Sequence, residues 1–368
     1  MKKKRIVFFL PLFLFLYFVF SYPSKLTVEN LLEEMFSVPS PTGYEEPMVE
    51  KIIKFLPQEY TTERDNMGSL YLHLGKREPQ LTLLSGMDEI GYIVSGLSPE
   101  GFLLLDRVVP SPHPLFDSYH LGHPMVVWTE KGALPGVLAI PSVHILSRER
   151  RQELQQFSLD SAYLDIGAGS AKEAKMRGVR ILDVVTAWPE LSQLAGEKRA
   201  GFSLGNKTCC ALLLSLAREL DVKKISRKTT FVWMAQTKFL SRSSRPRPAM
   251  GALRVKRKLN PERVLIIDVV PVEGGGETGI LLGKGPVLAY PKKEKAGLKE
   301  KIEGIAKREG ISLQYYPEFG SSLMNPFLSG SGEVLTLALP VKYSSTPVEV
   351  VDFKDVRALK KLLSFLVE

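Results

Sequence analysis

The chain has 368 residues, 44% of them hydrophobic and 24% charged, which excludes large-scale disorder and leaves room for two domains with a sizeable core. The formal charge of +9 is concentrated in two places: Lys2 to Arg5 carries four positive charges and the acid-free stretch Arg242 to Lys258 carries seven, so the rest is nearly neutral. That excludes a general nucleic-acid-binding surface, which needs basic residues spread over one folded face, and no specific nucleic acid binding is expected.

Residues 1–21 have a basic start, an apolar run from Ile6 to Phe20 broken only by Pro11, and then Ser21-Tyr22-Pro23-Ser24. This is the layout of a secretory signal peptide, or of an N-terminal anchor if uncleaved. The run is short for a span of about 20 residues, which favours cleavage. Either way the body is expected outside the cytoplasm, periplasmic or secreted, or held at a membrane by this segment. No cysteine follows the run, which excludes a lipoprotein anchor.

Val28, Leu31, Leu32 and Met35 recur at helical spacing, and Pro39-Ser40-Pro41-Thr42-Gly43 ends that helix. A second helix starts near Pro47 and buries Val49, Ile52, Ile53 and Leu56. A turn at Asp65-Asn66-Met67-Gly68 leads into a strand over Ser69 to Leu74. In Leu81 to Val94 two apolar runs flank the carboxylates Asp88 and Glu89, which reads as a buried strand carrying acids to its carboxyl end. Open α/β sheets bind ligands along that edge.

From Tyr92 to Trp188 the pattern changes to short apolar strands between Gly and Pro turns, as in Gly101 to Leu103, Met125 to Trp128 and Gly136 to Ile140. This reads as an inserted β-rich domain. His113, His120, His123 and His144 lie here, at spacings that match no zinc pattern. Beyond Trp188 the α/β pattern returns. It has a helix over Thr208 to Leu220 holding Cys209 and Cys210 as core thiols, and strands at Thr229 to Ala235, Val264 to Val270 and Val334 to Leu339. Helices follow at Lys295 to Arg308 and at the C-terminus, the last capped by Asp352 and burying Val356, Leu359 and Leu363. Arg242 to Lys258 is expected as a loop near the mouth of the site, and Gly274-Gly275-Gly276 as a flexible loop. There is no internal repeat, no phosphate-binding Gly-rich turn and no Gly-x-Ser-x-Gly elbow.

Six stretches in order, Pro39 to Glu45, Met87-Asp-Glu-Ile-Gly91, Gly136-Val-Leu with Pro141 and His144, Leu164 to Ala168, Leu282-Gly-Lys-Gly-Pro286 and Pro347-Val-Glu-Val350, resemble the tetrahedral (TET) glutamyl or deblocking aminopeptidases, co-catalytic zinc metallopeptidases. The resemblance implies an α/β fold. Its main part would be a three-layer zinc-peptidase-like (phosphorylase/hydrolase-like) domain over 24–91 and 189–368. An inserted β-barrel-like dimerisation domain would occupy 92–188. It also implies a homodimer, with any higher assembly unspecified.

The family's chemistry requires five metal ligands and a general base, and most of those positions are altered. The histidine two residues before the aspartate falls on Gly86, and the bridging aspartate of an Asp-Asp-Arg motif falls on Gly205 in Gly205-Asn206-Lys207. The Gln-Glu-Glu motif reads Gln236-Thr237-Lys238, which puts Thr237 at the base and Lys238 at a ligand. The final histidine falls on Ser345, and a Gly-Thr-Asp motif reads Gly320-Ser321-Ser322. Only Asp268, a ligand, and Asp88, which orients the first histidine, match. Zinc needs about three or four donors per ion and a base for its bound water, and glycine and protonated lysine supply neither.

The sequence thus points to an exported, catalytically degenerate aminopeptidase homologue without a metal cofactor, acting by binding a peptide or protein partner. The alternative is an active aminopeptidase with substituted ligands, using zinc or cobalt. A third reading has the basic stretch Arg242 to Lys258 contact an acidic partner or lipid head groups. A Ser345–Lys238 nucleophile and base pair carries little weight. Lys238 is expected to stand in for the lost ions by pairing with Asp268 and Asp88.

Overall fold

The computed structural model describes residues 26–76, 80–153, 157–221, 225, 227–241, 247–272, 279–291, 297–317, 321–328 and 332–368. The N-terminal segment 1–21, the Gly274 to Gly276 stretch and Gly320 lie outside these. Among the described residues no helix is long and apolar enough to cross a membrane.

Four strands form the parallel centre of an eleven-stranded sheet, in the order Thr229–Met234, Leu81–Gly86, Arg263–Val272 and Glu333–Lys342. Leu70–Leu74 and Thr62–Arg64 extend it antiparallel on one side. Glu349–Asp352, Lys198–Gly201 and Ser192–Gln193 extend it on the other. Successive side chains of a strand face opposite ways, and both faces are covered, so the central strands are apolar throughout. Leu83, Phe231, Trp233, Leu265 and Ile267 face the helices Val28–Phe36, Glu46–Phe55, Leu204–Glu219, Leu298–Glu309 and Phe353–Val367. Leu84, Val232, Met234, Val264 and Ile266 face the helix Met250–Leu259 and the short turn Asn325–Leu328. These are the three layers.

The strands Tyr92–Leu97, Leu103–Arg107, Tyr163–Asp165, Gly132–Ala139, Pro124–Thr129 and Val184–Ala187 close into a barrel. Its core is Tyr92, Val94, Leu103, Leu105, Met125, Val127, Leu138, Leu164 and Val185, joined by Phe202 from the α/β part. Closure leaves no free sheet edge in this unit.

Caps follow the local chemistry. Thr27 and Asn30 form a reciprocal box at the first helix, and Asp352 accepts from the Lys354 N–H at the last. Cys209 and Cys210 are buried free thiols.

Three expectations are corrected. Gly101 and Phe102 form a turn before their strand, because Gly101 has φ 97° and lies against the backbone of Ala168 and Ser170. The helix expected from Thr208 begins at Leu204, and the four added residues carry part of the site. The basic stretch is not a loop throughout: residues 242–246 lie outside the described set, but Met250–Leu259 is a helix burying Ala252 and Val255. Lys258 pairs with Glu63 at 2.5 Å and Arg254 with Asp65 at 3.6 Å, so these charges are engaged within the chain.

Candidate functional site

The Leu81–Gly86 strand ends in the sheet, and the chain then turns through Met87, Asp88 and Glu89. Pro41 makes a parallel bridge with Glu89: Glu89 N–H donates to Ser40 C=O at 2.9 Å and Thr42 N–H to Glu89 C=O at 3.1 Å. The Pro39 to Glu45 stretch is thereby stitched to the two acids.

Asp88 is buried, and both of its oxygens are engaged. Oδ2 accepts from Thr42 Oγ1 at 2.8 Å and from the Lys238 N–H at 2.9 Å, and Oδ1 accepts from Thr237 Oγ1. Glu89 is buried too. Oε1 accepts from Ser40 N–H at 2.9 Å, and Oε2 lies 3.1 Å from Lys207 Nζ. The Lys207 ammonium is 5% exposed and donates to the carbonyls of Phe36 and Val38, so its charge is both paired and solvated by backbone. Glu45 accepts from Gln236 N–H at 2.8 Å. Burial, and then the nearby Asp88 carboxylate, push its carboxyl up to about 7.

Glu349 joins two of the altered positions. It accepts from Gly205 N–H and from Ser345 N–H, each at 3.0 Å, and burial holds its carboxyl above the usual range. Asp268 ends its apolar run beside this group; burial raises its carboxyl, while the Lys238 charge acts to lower it.

No ion pair closes between Lys238 and Asp268 or Asp88 among the described residues. The direct pairing expected of Lys238 is therefore absent, and its charge acts on Asp268 and Glu349 through space. Asp88 already accepts three hydrogen bonds, which weakens its pull on a further donor, and a half-buried ammonium keeps more hydration by standing off from Asp268.

The glycines are filled positions. A Cβ on Gly86 would meet Thr237 Oγ1 at 2.9 Å and Cγ2 at 3.2 Å. On Gly205 it would meet Val269 Cγ1 at 2.6 Å and Val341 Cγ2 at 2.9 Å. Ser203, Gln236, Tyr343 and Ser345 have φ of 52°, 54°, 56° and 60°, left-handed conformations that cost non-glycine residues on the order of 1–3 kcal/mol each. The backbone around the site therefore holds a strained form. From the barrel, His113 Nε2 lies 3.1 Å from the Ser345 carbonyl, which accepts from the Nε2-protonated tautomer. Beside it, Tyr119 and His123 of the barrel and Tyr343, Thr346, Pro347 and Val348 of the α/β part line an open cleft of about 300 Å³.

Asp88, Gly86, Thr237 and Lys238 are thus in one contact group, and Gly205 and Ser345 are joined through Glu349. Among the described residues no three His, Cys, Asp or Glu side chains are placed to hold a metal. The donor set does not fit the family's zinc pair, because Thr237 fills the space beside Gly86, valines fill that beside Gly205, and Lys238 brings a positive charge.

Sequence reasoning missed Lys207, Glu45 and Glu349 as functional side chains. Each sat inside a quoted motif, but Glu45 stands between the exposed Tyr44 and Glu46 and Glu349 follows the exposed Val348, so the local sequence carries no signal of their burial.

The sequence profile of the M42 glutamyl aminopeptidases matches residues 68–362. The chain belongs to that family. A lysyl aminopeptidase of Pyrococcus furiosus is 25% identical over 92% of this chain and 96% of its own. The TET1 peptidase of Pyrococcus horikoshii, which can assemble into a tetrahedron or a large octahedral shell, superposes with TM-score 0.79 at 26% identity, covering 93% of this chain and 99% of that one. A TET aminopeptidase from a marine sediment thaumarchaeon shares the fold, with TM-score 0.77 at 22% identity over 92% and 96% of the two chains. The M42 fold, with its α/β sheet and closed six-stranded barrel, is therefore the frame of this site.

Proposed function

We propose that this M42 family protein has kept the aminopeptidase frame and lost the hydrolytic chemistry, and that it acts by binding a peptide or protein segment at the old active-site mouth. The packing of Thr237 into the space beside Gly86 carries this reading, since it removes a ligand position and the base position together. The cleft between Tyr119 and Val348 supports binding: its volume is at the low end for ligand pockets, and its walls are largely aromatic and aliphatic.

The names of the relatives favour a second reading, an active metal-dependent aminopeptidase with substituted ligands. Under it Asp268 and Glu349 would contribute carboxylates to an ion, which Lys238 opposes.

Metal analysis of the purified protein, with an aminopeptidase assay in added zinc, cobalt and manganese, separates the two. The first reading expects no stoichiometric metal and no metal-stimulated hydrolysis. Chelator-sensitive turnover would overturn it.

On the assemblies of TET1 we further propose a homo-oligomer, with the barrel domain as its dimer contact. From the basic start and apolar run of residues 1–21 we propose export.

A further inference from the structure

At the edge of the sheet opposite Asp88, where the central strands begin, a cavity of about 220 Å³ opens beside Leu81, the first residue of one strand, and Arg263, the first residue of the next. The six-residue strand Leu81–Gly86, at ~3.3 Å per residue, puts this cavity roughly 20 Å from Asp88. Leu81, Leu298, Leu366 and Val367 give it an apolar floor, and Arg227, Arg263 and Lys301 bring three half-buried cations to its wall.

Their charge is poorly matched. Arg263 Nε donates to Glu333 Oε2 at 2.7 Å, while Glu333 Oε1 accepts from the Leu298 N–H at 2.9 Å, so both oxygens of that carboxylate are engaged. Lys301 donates one N–H to the Leu366 carbonyl at 3.0 Å, leaving two. The Arg227 guanidinium has no ion-pair partner among the described residues. Burial, then Arg227 and Arg263, push the Lys301 ammonium below its usual range, so the three cations act on one another. The helix Leu298–Glu309 adds the positive end of its dipole at the same wall. Like charges held together at partial burial cost free energy until an anion joins them.

The cavity is smaller than the ~300–1,000 Å³ of pockets for drug-sized ligands, yet at about 30 Å³ per water it holds several waters. We propose that it is a binding site for a compact oxyanion of the phosphate type, free or as the head of a small molecule with a short apolar body. Guanidinium forks match phosphate oxygens with paired hydrogen bonds, and the apolar floor suits a short alkyl group. This site is independent of the reading given for the Asp88 end of the sheet.

Calorimetric titration of the full chain with inorganic phosphate and with butyl phosphate at low ionic strength tests it. Saturable binding at one site per chain is expected, weakened at least ten-fold by Arg227→Gln and unchanged by Asp268→Asn at the opposite edge. Arg227 makes no ion pair among the described residues, so its variant is expected to fold; Lys301→Met, which also gives up the Leu366 bond, is the second variant. Tighter binding of butyl phosphate assigns an organic phosphate, and equal binding assigns the free ion. Absence of saturable binding, or binding that survives both Arg227→Gln and Lys301→Met, overturns the proposal.

Discussion

Thr237 occupies the space that a side chain at position 86 would need: its Oγ1 lies 2.9 Å from where a Gly86 Cβ would sit, and the same hydroxyl donates to Asp88. The two positions form one packing solution, and neither reverts alone. Gly86→His is expected to destabilise the protein by about 1–3 kcal/mol through overpacking. The double variant Gly86→His with Thr237→Gly should recover part of that, giving a measurable coupling in a denaturation cycle. Neither variant is expected to bring in zinc, since Gly205 and Lys238 remain; additive effects in the cycle would show that the two positions do not share space.

Gly205 is tighter still. Its absent Cβ would lie 2.6 Å from Val269 and 2.9 Å from Val341, both on strands fixed in the sheet. Gly205→Ala should cost about 1–3 kcal/mol. Gly205→Asp should cost more, because its carboxylate would also face Glu349, whose oxygen is 3.4 Å from that Cβ. Urea midpoints of the three proteins give the ranking, and an aspartate variant as stable as wild type would refute the packing.

The buried pair Lys207 and Glu89 ties the helix Leu204–Glu219 to the Asp88 turn and to the Phe36 to Val38 backbone. Removing one partner leaves an uncompensated buried charge, so Lys207→Met should lose roughly 3–5 kcal/mol. Lys207→Met with Glu89→Gln should lose clearly less, because the glutamine oxygen still accepts from Ser40. Thermal melts of single and double variants check this; equal losses would mean that the Glu89 charge is not what suffers.

Much of the frame could be read from residues, and the reasons are physical. Strands buried on both faces appear as apolar runs, so Leu81 to Gly86 and Val264 to Asp268 stood out. Short strands between Gly and Pro turns mark the insertion as β-rich, while its closure into a barrel was implied only by the family resemblance. The filled cage could not be read, because which side chain occupies the space beside a glycine depends on a strand far away in sequence, as Thr237 beside Gly86 and Val341 beside Gly205 show. The Lys238 pairing is not legible for a related reason: charge alone suggests it, while in the fold Asp88 accepts from Thr42, Thr237 and the Lys238 N–H itself. The Met250 helix is masked by the basic residues of its second half, Arg254 and Lys256 to Lys258, which read as part of one charged run.

Glu45 gives a pH signature. Its carboxyl rises from 4.5 to about 7 in the fold, by burial and then by Asp88, so the folded chain binds more protons than the unfolded one between those values. Stability is retained below about 4.5 and lost as pH rises through 7, by about 3 kcal/mol in all. Glu45→Gln, which keeps an acceptor for Gln236, should be more stable than wild type at pH 8 and similar at pH 4. A constant difference across that range would remove Glu45 as the titrating group.

His120 acts in the opposite direction. Its ring is fully buried where the barrel meets the α/β part, 5.8 Å from the ring of Tyr92, 5.0 Å from Phe116 and 5.5 Å from Phe202. Neither nitrogen has a hydrogen-bond partner among the described residues. Burial pushes it down to about 4; Asp117 acts against the shift and His123 with it. The unfolded chain therefore binds the extra proton between about 6.5 and 4, and stability is lost as pH falls through that window, by about 3 kcal/mol in all. The Glu45 and His120 windows overlap with opposite signs, so these two contributions largely offset each other in the wild type and each single variant should tilt the profile. His120→Phe keeps an aromatic ring against the other three and removes the orphan nitrogens, whose burial costs roughly 1–3 kcal/mol. It should be more stable than wild type at pH 7 and by a wider margin at pH 4.5, with His120→Leu as a variant that adds less bulk. Denaturation midpoints from pH 4 to 8 for wild type, Glu45→Gln and His120→Phe provide the comparison. If His120→Phe keeps the wild-type pH profile, the buried imidazole is not the group that destabilises the domain junction in acid.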